Sequence, residues 1–219
     1  MTTALQPRAA LWDLDGTLLD SAGYHWLAWR ETMAAEGYDL TYEGFAAYFG
    51  QRNDVILHGY LGPELAASEI ERIGDAKEVR YRHLVRTRGV QLLPGVQRWL
   101  TRLHQSGWRQ AIASSAPRLN IETILDALGI AECFDATVSA EDVQRGKPDP
   151  QVFLVAAQRV AVPPARCIVV EDAPAGVQAA HRAGMRAIGV RSTHADLQAD
   201  WLVQSLEELP DDAFDRLLD

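Results

Sequence analysis

Two aspartates separated by a single residue stand near the start of the chain. Asp13 and Asp15 follow a short apolar run, Ala9 to Trp12, and precede Gly16. Such a run predicts a buried strand, so both carboxylates would lie at its carboxyl end, where open α/β sheets place their active sites. In extended backbone the two side chains would point to the same side and repel each other. A divalent cation relieves such repulsion, and Mg2+ prefers oxygen ligands.

Three interpretations fit this aspartate pair. The first is a turn whose aspartates cap the backbone. The second is a calcium loop, which requires a bidentate Glu at its twelfth position, here Tyr24, and a helix rather than a strand in front of it. We therefore reject the calcium loop. The third is phosphoryl transfer through an aspartyl-phosphate, with Gly16 allowing a sharp turn that brings amide N–H groups near a bound anion.

Groups that could hold a phosphate follow later in the chain. Ser114 and Ser115 come directly after the apolar run 110–113, where a hydroxyl and backbone amides can hold phosphate oxygens. Lys147 lies between a predicted strand and the start of a predicted helix. Taken alone it is typical of a solvated loop lysine. In such a site its cation would offset the charge of the phosphate and of the nucleophile.

A second pair of acids, Glu171 and Asp172, ends the apolar run 167–170. Alone, these acids could cap the following helix. At the end of another strand, they could instead complete a metal site. Carboxylates, hydroxyls, a lysine and again carboxylates thus follow four strand regions in that order. The combination favours phosphoryl transfer over a turn.

The elements that must position these groups are readable from apolar patterning. Helical stretches separate the apolar runs and stop at glycines such as Gly107, Gly129 and Gly184, which is typical of left-handed C-terminal caps. Strands that alternate with helices predict a doubly wound, Rossmann-like, mostly parallel α/β sheet. The predicted strands are 9–12, 110–113, 136–138, 167–170, 186–190 and, more weakly, 201–203.

One long segment breaks this alternation. Residues 21–89 carry helical patterns and no convincing strand, and Ser68 to Glu71 has the sequence of a capping box that would open a helix. The sequence therefore predicts a core domain made of 1–18 and 92–219. An inserted helical cap domain would occupy 19–91, directly after the predicted catalytic loop.

Composition limits the class of protein. The chain has 219 residues, 47% apolar and 23% charged, an ordinary balance for a globular protein. Its formal net charge of -9 repels phosphate backbones, so nucleic acid is not an expected partner. No apolar run approaches the roughly 20 residues needed to cross a bilayer, and we expect no membrane association. We expect a small phosphorylated substrate and a monomer.

The cysteines and the N-terminus bear on the compartment. Cys133 and Cys167 match no metal motif and form no disulfide framework, so both are expected to be buried thiols. The first eight residues lack the apolar core of a signal peptide. These features predict a cytoplasmic protein.

The four groups of residues described above make the sequence similar to the haloacid dehalogenase superfamily, over nearly the whole chain. The insertion resembles the helical cap of its first subclass. Dehalogenases proper usually lack the second aspartate, so Asp15 points to phosphate chemistry. The resemblance implies that Asp13 attacks phosphorus, while Asp15 protonates the leaving oxygen and then activates the acceptor.

The same resemblance implies a magnesium site and a phosphate site. Mg2+ would be held by Asp13, the backbone carbonyl of Asp15, and Asp172. Glu171 would orient Lys147 or a metal-bound water. The residues implied in binding the transferring phosphoryl group are Gly16, Thr17, Ser114, Ser115 and Lys147.

Within the superfamily, the sequence resembles the β-phosphoglucomutase-like group. His25 in the first cap helix, Arg52 and Lys77 carry this likeness, which implies that His25 helps to set Asp15 and that the two cations grip a distal phosphate. Alternatively, His25 packs the cap, and Arg52 and Lys77 are solvated.

The acceptor of the phosphoryl group depends on a departure from the mutase pattern. Mutases of this group usually carry Lys-Asn where Pro117 and Arg118 stand, as they do in many phosphatases of the group. We therefore expect a phosphatase of a small metabolite such as a sugar phosphate, with Arg118 near the substrate. A hexose-phosphate mutase is the alternative. A phospho-receiver domain is disfavoured by its shorter length and by its later phosphorylated aspartate.

Overall fold

The computed structural model describes residues 6–218. Its strands are β1 (Ala9–Trp12), β2 (Arg109–Ala113), β3 (Ala136–Val138), β4 (Cys167–Glu171), β5 (Arg186–Val190) and β6 (Trp201–Val203). Its α-helices are α1 (Ala22–Ala35), α2 (Tyr42–Tyr48), α3 (Asn53–Leu61), α4 (Ala67–Arg88), α5 (Val96–Gln105), α6 (Arg118–Leu128), α7 (Gln151–Arg159), α8 (Pro174–Arg182) and α9 (Ala213–Leu218).

The six strands form one parallel sheet in the order β3-β2-β1-β4-β5-β6. This confirms the predicted α/β fold class. Successive strands are added on one side of β1 up to β3, and then on its other side from β4 to β6. The order therefore reverses between β1 and β4, and a crevice opens outside the carboxyl ends of these two strands.

Burial on both faces explains why the strands read as continuous apolar runs. In β1, Ala10 and Trp12 belong to one core cluster, whereas Ala9 and Leu11 belong to a second cluster on the opposite face. All four residues are completely buried. The indole N–H of Trp12 donates to Gln110 Oε1 at 3.1 Å, so the polar edge of this ring is also satisfied.

Helix ends match the glycine pattern but not every predicted start. Gly107, Gly129 and Gly184 all have positive φ, as the predicted left-handed caps require. The capping box at Ser68 is wrong. Helix α4 begins at Ala67 after Ala66, which is extended and makes no side-chain cap, so Ser68 already lies inside the helix.

Four helices, α1 to α4, follow β1 before the chain returns to the sheet through α5 and β2. They enclose a third apolar cluster, which includes Trp29, Phe45 and Leu57. The two connections to the sheet domain lie side by side. Leu93 N–H donates to Leu18 O at 2.8 Å, and Leu19 forms an antiparallel bridge with Leu92.

The cysteines are both free thiols, but they differ in burial. Cys167 in β4 is buried, as expected, whereas Cys133 is only partly buried because it lies in a short turn after α6. Within residues 6–218, no helix combines the length and the apolar character that a membrane crossing demands.

Candidate active site

Asp13 lies at the centre of the crevice. Its backbone N–H donates to Val170 O at 3.0 Å, which extends the β1–β4 ladder by one step and brings the two strand ends together. The Lys147 ammonium donates to Asp13 Oδ1 at 2.5 Å and to Glu171 Oε1 at 2.6 Å. All three side chains are at least nine-tenths buried. One lysine thus joins acids from two strand ends.

Glu171 is held at both carboxylate oxygens. Its Oε2 accepts from the backbone N–H groups of Asp172, at 2.8 Å, and of Ala173, at 2.7 Å. Helix α8 leaves it room only because residue 176 is glycine. A Cβ on Gly176 would lie 1.8 Å from Glu171 Oε1.

The acids around Lys147 carry more negative charge than one ammonium neutralises. Burial raises the pKa of Asp13 well above its usual value; Lys147 opposes this rise, and Glu171 and Asp172 add to it. Burial, with Glu171 next in effect, raises the pKa of Asp172 to about 7. Burial alone would lower the pKa of Lys147, but Asp13 and Glu171 outweigh it and raise that pKa above its ordinary value.

This acidic cluster fits a divalent cation. Among the described residues, Asp13, Glu171 and Asp172 each offer a carboxylate oxygen, all within 4.8 Å of one another, and all three are buried. Oxygen donors with excess negative charge are what Mg2+ binds, and a cation would relieve the repulsion that, together with burial, raises these pKa values. Because both Glu171 oxygens already have partners, Asp13 and Asp172 are the better donors.

Asp15 points away from this cluster, toward the helices inserted after β1. Its carboxylate accepts from the Ser21 hydroxyl, from His25 Nε2 at 3.2 Å and, at 3.5 Å, from the Tyr81 hydroxyl. Burial would raise the pKa of Asp15, but His25, Ser21 and Lys77 together hold it below its usual value. This arrangement therefore favours the ionised form of Asp15.

The donor and acceptor roles of the two His25 ring nitrogens follow from the contact with Lys77. The Lys77 ammonium lies 2.9 Å from His25 Nδ1 and can only donate, so Nδ1 accepts. The imidazole proton is then on Nε2, where it donates to Asp15. The ring also stacks on Tyr81, with 4.0 Å between centroids. His25 is thus fixed in one tautomer and one orientation.

Gly16 and Thr17 contact Asp172 instead of lining the cavity. Gly16 has φ +81°, and a Cβ there would meet Asp172 Oδ2 at 2.1 Å, so only glycine allows this close approach. The Thr17 hydroxyl donates to Asp172 Oδ1 at 3.3 Å. The structure therefore places both residues where they position an acid.

The site opens into a cavity of about 430 Å³ between the sheet and the inserted helices. Ser114 and Ser115 line it, and Ser114 Oγ accepts from the backbone N–H of Ala116 at 3.0 Å. The other predicted site residues along its wall are Asp13, Asp15, His25, Lys77, Lys147, Glu171 and Asp172.

Two predicted arginines do not line this cavity. Arg118 forms a two-pronged ion pair with Asp142, at 2.7 Å to each oxygen, which turns its guanidinium away. Arg52 donates to Ala140 O and Val143 O, at 3.3 and 3.4 Å, and lines a smaller neighbouring cavity.

Some residues of the site were not singled out by the sequence analysis. Ser21 contacts Asp15, and Glu78 pairs with Lys77 at 2.9 Å. No sequence pattern indicates Ser21. Glu78 could have been found through Lys77, which interrupts the buried stripe of Ile73 and Tyr81 on α4, because a buried ammonium needs a buried acid.

The fold and the site together define an α/β enzyme with a lysine-bridged acidic centre at the point where its strand order reverses. The family model for haloacid dehalogenase-like hydrolases matches residues 7–184. The chain therefore belongs to this family and is a phosphoric monoester hydrolase or a phosphomutase.

Relatives of both kinds resemble the chain. The β-phosphoglucomutase of Bacillus subtilis is 33% identical, over 92% of this chain and 91% of its own length. The fructose-1-phosphate phosphatase YqaB of Escherichia coli is 34% identical, over 83% and 95%. A crystal structure of a CbbY variant from Rhodobacter sphaeroides, in complex with xylulose-1,5-bisphosphate, has a TM-score of 0.85, with 28% identity over 93% of this chain and 96% of that one.

Proposed function

We propose that this chain is a magnesium-dependent phosphatase of a small sugar phosphate, with Asp13 as the nucleophile and Asp15 as the acid and base. The observation that carries this proposal is the opposite surroundings of the two aspartates. Asp13 lies against Lys147 within the acidic cluster, whereas Asp15 faces the cavity from a separate set of hydrogen bonds.

In the first half-reaction, a carboxylate oxygen of Asp13 attacks phosphorus and the ester P–O bond breaks. Asp15 carries the proton that it takes from water in the second half-reaction, and it gives this proton to the departing sugar oxygen. Lys147 donates to the transferring group, and Ser114 and Ser115 line its path. Fixed donors of this kind stabilise charge as it develops on the phosphoryl oxygens.

In the second half-reaction, water attacks the aspartyl-phosphate and the bond between phosphorus and Asp13 breaks. Asp15 takes a proton from this water as phosphate is released, which restores both groups. This step requires the ionised form of Asp15, and His25 favours that form by donating from Nε2.

Asp13 and Asp172 would hold Mg2+, with the backbone carbonyl of Asp15 as the further ligand predicted from sequence. When bound, the cation supplies positive charge that stabilises the transferring phosphoryl group. Glu171 orients Lys147 through the 2.6 Å ion pair, and Thr17 and Gly16 fix Asp172.

Two features favour water over a sugar hydroxyl as the acceptor. Pro117 stands where mutases of this family usually carry lysine, so this loop offers no ammonium to a bound sugar phosphate. Arg118 is engaged by Asp142. A hexose-phosphate mutase is the second candidate, favoured by the contact that His25 makes with both Asp15 and Lys77.

A phosphate-release screen over sugar phosphates with Mg2+ tests the proposal, with a bisphosphate-primed mutase assay beside it. We expect hydrolysis of at least one sugar monophosphate to exceed the conversion of β-glucose 1-phosphate to glucose 6-phosphate. Faster interconversion than phosphate release would assign the mutase activity instead. Loss of turnover after chelation, restored by Mg2+, tests the metal separately.

A further inference from the structure

Lys77 is the lysine of the cavity wall that does not belong to the phosphoryl centre. Among the described lining residues, the lysines are Lys77 and Lys147. A lysine in this place would ordinarily attract a second anionic group on the substrate. Its availability therefore decides whether the far end of the cavity accepts charge.

The Lys77 ammonium makes two hydrogen bonds within the protein. It donates to Glu78 Oε1 and His25 Nδ1, both at 2.9 Å, and it is only 2% exposed. Its remaining surroundings are the rings of Trp29 and Tyr81, with centroids at 5.2 and 5.4 Å. Hydrogen bonds and ring faces together leave little of this cation for a ligand.

Glu78 is itself fixed from two directions. Asn53 of α3 donates to its Oε1 at 2.7 Å, and Asn120 of α6 donates to its Oε2 at 2.5 Å. Asn120 in turn accepts from Arg82 at 2.9 Å. Burial would raise the pKa of Glu78, but Lys77, His25 and the Asn120 amide hold it below its usual value, so the carboxylate stays ionised.

The rest of the far wall adds apolar, uncharged polar and acidic side chains, and among the described lining residues it adds no arginine. Trp29, Phe45 and Phe49 line the inserted-helix side of the cavity. Against two lysines, the lining carries five carboxylates. Three of them, Asp13, Glu171 and Asp172, form the acidic cluster of the phosphoryl centre, which leaves Asp15 and Glu78 facing the remainder of a bound substrate. A second phosphate here would meet repulsion and an apolar surface.

We propose that Glu78 is a specificity-determining residue, which withholds the Lys77 ammonium from the substrate so that the site selects phosphate monoesters with an uncharged remainder. This inference rests on the proposed phosphatase function. It places Glu78 beside the known chemistry of the family as a positioning residue, because it acts through Lys77 and not on the reacting atoms.

The test compares glucose 6-phosphate with glucose 1,6-bisphosphate as probes. In wild type, kcat/KM for phosphate release should favour the monophosphate. In Glu78→Gln, the ratio of bisphosphate to monophosphate should rise about 10- to 100-fold, mainly through KM for the bisphosphate, since one charge-assisted hydrogen bond becomes available. An unchanged ratio, or a wild-type preference for the bisphosphate, would overturn the proposal.

Two further variants separate this effect from loss of charge or of structure. Glu71→Gln removes one carboxylate from an exposed position on the same helix and should leave the ratio as in wild type. Glu78→Asp keeps the charge but shortens its reach, so a smaller rise in the ratio is expected even if Glu78→Gln does not fold. Equal ratios in Glu78→Asp and wild type would contradict the mechanism.

Binding distinguishes this idea from the proposed function. Titration calorimetry of both probes against Asp13→Asn, with and without Glu78→Gln, reports affinity in a protein without its nucleophile. If wild type hydrolyses no ester, the phosphatase assignment fails, but a shift of affinity toward the bisphosphate still supports the role of Glu78. Equal affinity shifts for both probes would refute that role.

Discussion

The two aspartates of the first loop, two residues apart, have opposite surroundings. The neighbours of Asp13 come from the end of β4 and the loop that carries Lys147, and they are mostly acids. The neighbours of Asp15 come from the inserted helices and the linker before them, and they are an imidazole and hydroxyls. Burial raises the pKa of Asp13, whereas in Asp15 the electrostatic effect of His25 and the hydrogen bonds from His25 and Ser21 outweigh burial and lower the pKa.

The spacing of two carboxylates in the sequence therefore does not determine the chemical role of each. Each acid takes its character from the domain that surrounds it, and two groups whose pKa values are pushed apart are suited to different roles. The surroundings of Asp13 suit the proposed binding of a cation and a phosphoryl group. Those of Asp15 suit the proposed exchange of protons in the cavity.

The largest expected effect comes from Asp13→Asn. If Asp13 is the nucleophile, phosphate release should fall by the order of 10⁴- to 10⁶-fold, because the covalent route is closed. Circular dichroism should show an intact fold, since the buried site loses a carboxylate whose charge is disfavoured. Substantial turnover in this variant would contradict the assignment of Asp13 as the nucleophile.

Asp15→Asn tests the role of Asp15 by comparing esters whose leaving groups differ in their need for a proton. With an alkyl phosphate, turnover should fall about 10²- to 10⁴-fold, the range for general acid–base catalysis. With p-nitrophenyl phosphate, whose leaving group needs no proton, Asp13 should still be phosphorylated. The phosphorylated variant should accumulate, which intact-protein mass spectrometry detects. An equal loss of phosphorylation with both esters would argue against Asp15 as the acid.

The smallest change, one methyl group on Gly176, tests how strictly Glu171 must be placed. Gly176→Ala sets a Cβ 1.8 Å from Glu171 Oε1, so the carboxylate that orients Lys147 must move. We expect kcat/KM to fall about 100-fold, the cost of a displacement near 1 Å at a reacting centre.

Gly23→Ala is the matched control for that substitution. Its Cβ would meet nothing within 4 Å, and the residue lies in α1. Thermal unfolding should show a gain of about 0.5–1 kcal/mol in stability, with kcat/KM as in wild type. If both variants behaved alike, the close approach of Gly176 to Glu171 would have no role in catalysis.

The sheet domain was predictable because its signals are local. Strands buried on both faces must be apolar throughout, so each short run identified a strand within one or two residues. Polar residues directly after these runs had to meet at one edge of the sheet. That rule predicted that Asp13 and Glu171 lie close together, and in the structure both accept a hydrogen bond from Lys147.

The cap side was less predictable because its contacts depend on how helices pack. Arg118 follows a strand by only a few residues, yet it forms an ion pair with Asp142 from a later turn. The spacing of residues in the sequence does not predict such a partner. The sequence analysis did not single out Glu78 for the same reason. Its fixed position depends on Asn120 of α6, which is 42 residues away in the sequence.

The paired connections at Leu18–Leu19 and Leu92–Leu93 have a mechanical consequence. Two independent connections would let the inserted helices twist and slide as well as tilt. Here the two connections are joined by a backbone hydrogen bond and a β-bridge, so they would move together as one hinge. Such a hinge bends most easily about one axis. Because the backbone of Asp15 also forms a bridge with Leu19, bending at these connections would be linked directly to the carboxylate that we propose transfers protons.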